Sequence, residues 1–292
     1  MKAPSRIGII GFGFVGKALK DGIQEDVESF VVDPKLNTSI KDLKEFDPSL
    51  TFICVPTPMQ DDFSQDISII ENVFTELAEY DLNSIIVLKS TVLPENIQFL
   101  ESKYCDFIYN PEFLRERHAV EDFINSKLII FGGKNERHKD ELANFYEHKT
   151  KCTCKDYIYT DALTAALVKY TINSFLATKV TFFNEIKQVF LNLDVEDSWE
   201  NFIEYIAQDN RIGDSHMSVP GPDGKEGFGG ACLPKDSSAL VASASENGLQ
   251  LAVLQKVIEV NNRIRGKYNI DEREQSQNCL LYTSPSPRDK TV

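Results

Sequence analysis

The sequence predicts an α/β protein: a doubly wound parallel sheet in the first half, followed by an all-helical second half. Three observations carry that expectation. Short, continuous apolar runs alternate with helix-like stretches from about residue 6 to residue 133. The first run leads straight into a glycine-rich turn. After about Tyr159 the strand-like runs stop, and long periodic stretches take over.

The apolar runs are RIGIIG, SFVVD, LTFICV, SIIVLKS, DFIYN and KLIIFGG. Uninterrupted apolar strands suit a parallel sheet covered on both faces. Between them, Asp66–Glu79 and Pro94–Lys103 read as helices, the second opened by Pro94 and Glu95. Thr160–Leu193 reads as one long helix without Gly or Pro, its apolar positions spaced by three and four. Glu196–Gln208 is a second helix. A loop rich in Gly and Pro runs from Arg211 to Leu233, a helix starts near Pro234, and another covers Leu249–Arg265. From about Gly266 the chain turns polar. Its end, LLYTSPSPRDKTV, has no periodicity and reads as a disordered, non-native tail.

Composition narrows the function. The 292 residues, 42% of them hydrophobic, suffice for two modest domains with a sizeable core. A net charge of −14 argues against nucleic acid, whose phosphates need basic surface, and against anionic lipid. No stretch approaches the roughly 20 apolar residues that span a bilayer, and the N-terminus lacks the shape of a signal peptide. The six cysteines are too sparse for a disulfide scaffold, and the C-x-C of Cys152 and Cys154 has no second pair to make a zinc site. A cytoplasmic protein without a metal is expected.

Gly11, Phe12, Gly13, Phe14, Val15 and Gly16 match G-x-G-x-x-G, placed after a strand and opening a helix. Gly11 permits a tight turn, Gly13 a close approach of backbone to a pyrophosphate, and Gly16 close packing of helix on strand. The helix N-terminus then offers unpaired N–H groups to phosphates. The next strand ends in Asp33. A carboxylate there accepts hydrogen bonds from ribose hydroxyls and repels a 2′-phosphate, which selects NAD over NADP. The first half is thus expected to be a Rossmann NAD-binding domain.

Further segments sharpen this. CVPTP (54–58), STV (90–92), NPEFLRE (110–116), LVKYTINSFLATKVTFFNEI (167–186), DNRIG (209–213) and GFGGACLPKD (227–236) occur in that order. Together with the glycine loop they resemble the UDP-glucose/GDP-mannose dehydrogenase family, from the first strand to about Arg265. The resemblance implies three parts: an NAD-binding domain over 1–155, a helical dimerisation and catalytic domain over 156–265, and the polar tail over 266–292. It implies oxidation of a sugar's primary alcohol to a carboxylate, with two hydride transfers to NAD, a nucleotide-sugar substrate and a homodimer built on the long central helix.

The resemblance also implies roles, which can be set beside the chemistry of each group. Cys232 would be the nucleophile that carries the thiohemiacetal and thioester; a helix start and the neighbouring Lys235 would favour its thiolate. Lys235 would also lie toward the cofactor. Lys169 and Asn173, four apart on one helix face, would hold the reacting oxygen. Glu112 would be a base near the reacting carbon. Asp236 would support the oxyanion network, through water or Lys169. Thr91 would position a catalytic water on the nicotinamide side, with Glu116 beside it and Thr57 touching the cofactor. Phe113, Leu114, Arg115, Phe228, Gly229 and Arg211 would contact the substrate, Arg211 across a dimer interface. Taken one at a time, these carboxylates read as solvated surface groups.

The chain departs from the family pattern at Ala231, before the cysteine, and at Ala166, before Lys169. The loop between Arg211 and Gly227 looks longer than usual. The family's second Rossmann-like domain is expected to be missing. A β-hydroxyacid dehydrogenase making one hydride transfer, and an NAD-binding dimer without turnover, are the rival readings.

Overall fold

In a computed structural model, residues 4–104 and 106–269 are described. They divide into two compact units. The first comprises the chain up to Thr57 and Gln65–Lys169; the second comprises Pro58–Ser64 and the chain from Tyr170 on.

The first unit is a seven-stranded sheet with helices between its strands. The strands are β1 (Arg6–Ile10), β2 (Glu28–Val32), β3 (Leu50–Ile53), β4 (Ile85–Leu88), β5 (Phe107–Tyr109), β6 (Ile129–Gly132) and β7 (Tyr157–Thr160). They lie in the order β2-β1-β3-β4-β5-β6-β7. The helices are α1 (Phe14–Gly22), α2 (Ile40–Phe46), α3 (Ser68–Glu79), α4 (Pro94–Lys103), α5 (Ala119–Ile124) and α6 (Glu136–Lys149). This is the expected Rossmann architecture, and its order reverses between β1 and β3, where ligands of such sheets bind.

Two features depart from the expectation. β5 and β6 pair antiparallel through Tyr109 and Gly132, whereas the other neighbours are parallel. The edge strand β7, YIYT, gave no continuous apolar run: its inner positions Ile158 and Tyr159 are exposed and its ends half-buried. An edge strand needs apolar cover on fewer sides, so its signal in the sequence is weak.

Alternation along the strands fills both faces of the sheet. Ile7 and Ile9 pack with Leu19, Phe52, Val87, Phe131 and Phe145 in one cluster. Ile10, Ile53, Leu88, Phe74 and Tyr109 pack in another. Helix starts follow capping rules: Ser39 and Asp42 form a reciprocal capping box on α2, and Pro94 occupies the first turn of α4.

Helix α7 (Ala162–Asn192) contains the boundary between the units. Its first turns stay with the sheet, where Ala162, Ala165 and Ala166 are buried. The departure Ala166 is therefore a helix–sheet packing position. The second unit contains the rest of α7 with α8 (Trp199–Ala207), α9 (Leu233–Glu246) and α10 (Ala252–Arg265). Phe183, Trp199, Met217 and Val219 form one of its cores; Ala177, Phe228 and Val257 form another. Helix α8 starts three residues later than Glu196, because Ser198 caps it by accepting a hydrogen bond from the Asn201 N–H. The tail over 270–292 lies outside the described residues.

Candidate active site

The glycine loop stands at the carboxyl end of β1, as its sequence requires. Gly11 has φ +91° and donates to the Val32 carbonyl at 2.8 Å. A β-carbon on Gly16 would lie 2.2 Å from the Gly11 carbonyl oxygen, so only glycine lets α1 pack this closely. At Gly13, which caps α1, a β-carbon would meet nothing within 4 Å. No side chain caps the first turn of α1. An open cradle edged by uncapped N–H groups fits a pyrophosphate. Asp33 ends β2 and accepts hydrogen bonds from the Phe12 N–H at 2.8 Å and the Lys35 N–H at 2.9 Å. Its carboxylate is thus fixed beside the loop, and its remaining lone pairs can take ribose hydroxyls.

Thr57 and Thr91 come together after β3 and β4. The buried Thr57 hydroxyl donates to the Thr91 carbonyl at 2.9 Å. Gln65 donates to the same oxygen at 2.9 Å and accepts from the Leu93 N–H. Ser90 donates to the Val55 carbonyl at 2.7 Å. Two loops at the ligand edge of the sheet are thereby locked together.

Glu112 is buried in the loop after β5. One carboxylate oxygen accepts from the Leu114 N–H at 2.6 Å; the other lies 3.2 Å from Lys169 Nζ, which also donates to the Glu112 carbonyl at 2.6 Å. Lys169 is itself buried, 5.4 Å above the Phe113 ring. The single-residue reading of Glu112 as a solvated group is overturned here: its partner is 57 residues away, and no local pattern announces it. Glu116 is exposed, in a short 3-10 turn. Arg115 is exposed, and its guanidinium grips Asp122 in a two-pronged ion pair. That pair holds the Asp122 carboxyl below its usual range against the opposing effect of partial burial.

Behind Glu112 lies Lys89, one residue past β4 and buried. Its ammonium donates to the Asn110 carbonyl (3.2 Å) and side-chain oxygen (2.9 Å) and to the Tyr146 hydroxyl (3.2 Å). Burial pushes the Lys89 ammonium down to about 8, and pushes the nearby Cys54 thiol up to about 12.

In the second unit, Cys232 is half-buried at the start of α9, with Pro234 in the helix's first turn. The Asp236 N–H donates to the Cys232 carbonyl at 2.8 Å. Asp236 is buried, and its two oxygens accept from Asn173 at 2.6 Å and from Lys235 at 2.6 Å. Asp236 also departs from the single-residue reading: it is the buried hub of Asn173 and Lys235. Phe228 is buried and Gly229 half-buried. Arg211 is exposed and folds back on Asp209, whose carboxyl it holds below its usual range. Among the described residues, no cluster of His, Cys, Asp and Glu could hold a metal.

Lys89, Gln65, Asn110 and Tyr146 were not singled out from the sequence. Lys89 leaves a trace there, as a charge appended directly to an apolar strand.

Fold and glycine loop together define a dinucleotide-binding protein of the kind that serves oxidoreductases. Comparison with known proteins narrows this. The model of the UDP-glucose/GDP-mannose dehydrogenase family's NAD-binding domain matches residues 17–150, and that of its central domain matches 163–263. The chain belongs to the UDP-glucose/GDP-mannose dehydrogenase family, and its first unit carries the family's NAD-binding domain. It is 34% identical over 219 residues to a UDP-glucose 6-dehydrogenase of Rickettsia felis, covering 73% of this chain and 47% of that protein. It is 30% identical over 258 residues to the UDP-glucose 6-dehydrogenase AglM of Haloferax volcanii, covering 82% and 58%. The chain thus spans about half the length of these relatives. A UDP-glucose dehydrogenase from Pyrobaculum islandicum superposes with a TM-score of 0.70 at 25% identity, covering 89% of this chain and 68% of that one. A GDP-mannose dehydrogenase from Pseudomonas aeruginosa, in a ternary complex, gives 0.58 at 26%, covering 90% and 69%.

Proposed function

We propose that the protein oxidises the primary alcohol of a nucleotide sugar, UDP-glucose foremost, to the uronic acid, with Cys232 as the nucleophile. The observation that carries this reading is the buried Lys169–Glu112 pair. Two charged side chains are taken out of water there, at a cost that stability alone does not explain. When bound, NAD supplies the hydride acceptor for both oxidations. The residues named here supply the rest. The Lys169 ammonium and the Asn173 amide stabilise the alkoxide and later oxyanion as charge develops on the sugar oxygen. The Cys232 sulfur adds to the aldehyde carbon, giving a thiohemiacetal whose oxidation leaves a thioester. Glu112 takes a proton from the water that cleaves the thioester, releasing the carboxylate and the thiol. Asp236 holds Asn173 in place through its amide. Thr91 orients water, and Arg211 reaches the substrate. The relatives' names support UDP-glucose as the substrate.

We infer a homodimer as well. Phe175, Phe182 and Val189 recur every seven residues on α7 and are 63%, 55% and 56% exposed, an apolar stripe suited to a second copy. Phe182→Glu should give a monomer by light scattering, and an unchanged mass would refute the interface.

The test of function is a panel of nucleotide sugars with NAD, followed by NADH absorbance and by the acid product. NADH and uronate in a 2:1 ratio are expected. No NADH with any sugar refutes the activity. Cys232→Ala should lose the acid; full turnover in that variant would mean a single hydride transfer without a thioester.

A further inference from the structure

The segment that leads into Cys232 has no regular structure, yet its backbone is paired. Gly227 donates its N–H to the Asn184 side-chain oxygen at 2.9 Å, and Asn184 donates in turn to the Val180 carbonyl on its own helix, α7. Asn261, on α10, grips Phe228 from both sides: its oxygen accepts from the Phe228 N–H at 2.7 Å, and its amide donates to the Phe228 carbonyl at 2.9 Å. Two amide side chains thus act as the strand neighbour that the loop lacks. Both are almost fully buried. The fit is close: Gly227 has φ +76°, and a β-carbon there would lie 2.6 Å from the Asn261 oxygen. The Phe228 ring is anchored beside Ala177 and Val257. From Phe228 to Cys232 the chain can span at most roughly 14 Å, so fixing one end restricts the other.

We propose that Asn184 and Asn261 are positioning residues for the thiol: by clamping the Gly227–Phe228 backbone they deliver Cys232 to the N-cap of α9. The proposal rests on Cys232 being the nucleophile where it concerns turnover; its geometric part does not. Neither amide touches the reacting groups. Both sit in mid-helix, where asparagine is a weak helix former and needs another reason to be present.

The test compares Asn261→Leu, Asn261→Asp and Asn184→Asp with the wild-type chain. The rate of iodoacetamide labelling of Cys232 is read by peptide mass spectrometry, beside kcat and the KM for NAD. Asn261→Leu removes both bonds to Phe228. Its Cys232 labelling should slow about tenfold as the thiol leaves the helix start that favours the thiolate. Its kcat should fall by up to about 100-fold, the usual penalty for a displacement of roughly 1 Å, with KM for NAD held within about twofold. Asn261→Asp is nearly isosteric and keeps only the acceptor, so it should show a smaller loss of both; it carries the test if the leucine variant does not fold. Asn184→Asp keeps its acceptor toward Gly227 and should label like the wild type. Wild-type labelling and kcat in a folded Asn261 variant would overturn the proposal, as would a KM for NAD that moves as far as kcat. A Cys232→Ser chain that still makes uronate would instead sink the nucleophile reading, and the labelling result would stand apart from it.

Discussion

Two glycines of the nucleotide loop should respond in opposite ways to the same substitution. Gly16→Ala places a methyl group 2.2 Å from the Gly11 carbonyl oxygen and 3.3 Å from the Ile9 side chain. An ordinary carbon–oxygen contact lies at roughly 3.3–3.6 Å, so α1 or the Gly11 turn must move by about 1 Å. Both belong to packed backbone, and overpacking of this kind costs about 2 kcal/mol. For a chain of this size that lowers Tm by roughly 4–8 °C, with or without cofactor. Gly13→Ala meets nothing within 4 Å, at an ordinary φ of −72°. The weaker cap costs roughly 0.5 kcal/mol, and the stiffer unfolded chain returns a similar amount, so Tm should stay within about 2 °C. The methyl would nevertheless occupy the space where backbone approaches the pyrophosphate, and NAD affinity should drop by at least about tenfold. Thermal unfolding without ligand and titration calorimetry with NAD separate the two effects. If Gly13→Ala melts as low as Gly16→Ala, or binds NAD like the wild type, the assignment of the cradle is wrong.

Three further outcomes are expected. The Lys89 ammonium is depressed from 10.5 to about 8 by burial. The folded state therefore releases this proton first, and stability rises as pH goes from about 8 to 10.5. Relative to Lys89→Met, the wild type should gain on the order of 3 kcal/mol over that range in denaturant unfolding, and a flat difference would exclude the buried ammonium. Asp236→Asn leaves the buried Lys235 ammonium without its counter-charge and should cost roughly 3 kcal/mol in the same assay; a loss below about 1 would mean that Lys235 finds water. Asp33→Ser removes a like charge from the position of a 2′-phosphate. It should raise affinity for NADP relative to NAD by about tenfold or more, measured by calorimetry, and an unchanged ratio would move the ribose elsewhere.

Much of the first unit was legible because its strands are buried on both faces and so read as unbroken apolar runs. The glycine loop was legible because Gly11 and Gly16 answer local steric demands and the third glycine keeps the standard spacing. β7 was not, since an edge strand with its inner positions exposed carries little burial pattern. Helix starts were misplaced by a few residues: α3 begins at Ser68, not Asp66, and α8 at Trp199, where the Ser198 cap was passed over. The candidate site was legible only as a set of residue types. That Glu112 meets Lys169, and Asp236 meets Asn173 and Lys235, depends on contacts across 57 and 63 residues and on a neighbour only one residue away. Burial, which turns these carboxylates from solvated groups into paired ones, is a property of tertiary packing. Lys89 and Asn261 were hidden for the same reason, although a lysine appended to a strand and an asparagine inside a helix are each a mild anomaly.

The antiparallel step between β5 and β6 has a consequence of parity. β1 to β5 all end at the edge that carries the glycine loop, Thr57, Thr91 and Glu112. One reversal sends β6 and β7 the other way, so β7 ends at the far edge. The helix that follows must climb back across the sheet. The eight residues from Ala162 to Lys169 rise about 12 Å, close to the roughly 13 Å length of a four-residue strand. The climb ends at Lys169, level with Glu112. Had the sheet been parallel throughout, the same helix would have left from the ligand edge and carried its lysine away from it. The backward strand is thus part of what brings the ammonium to the carboxylate.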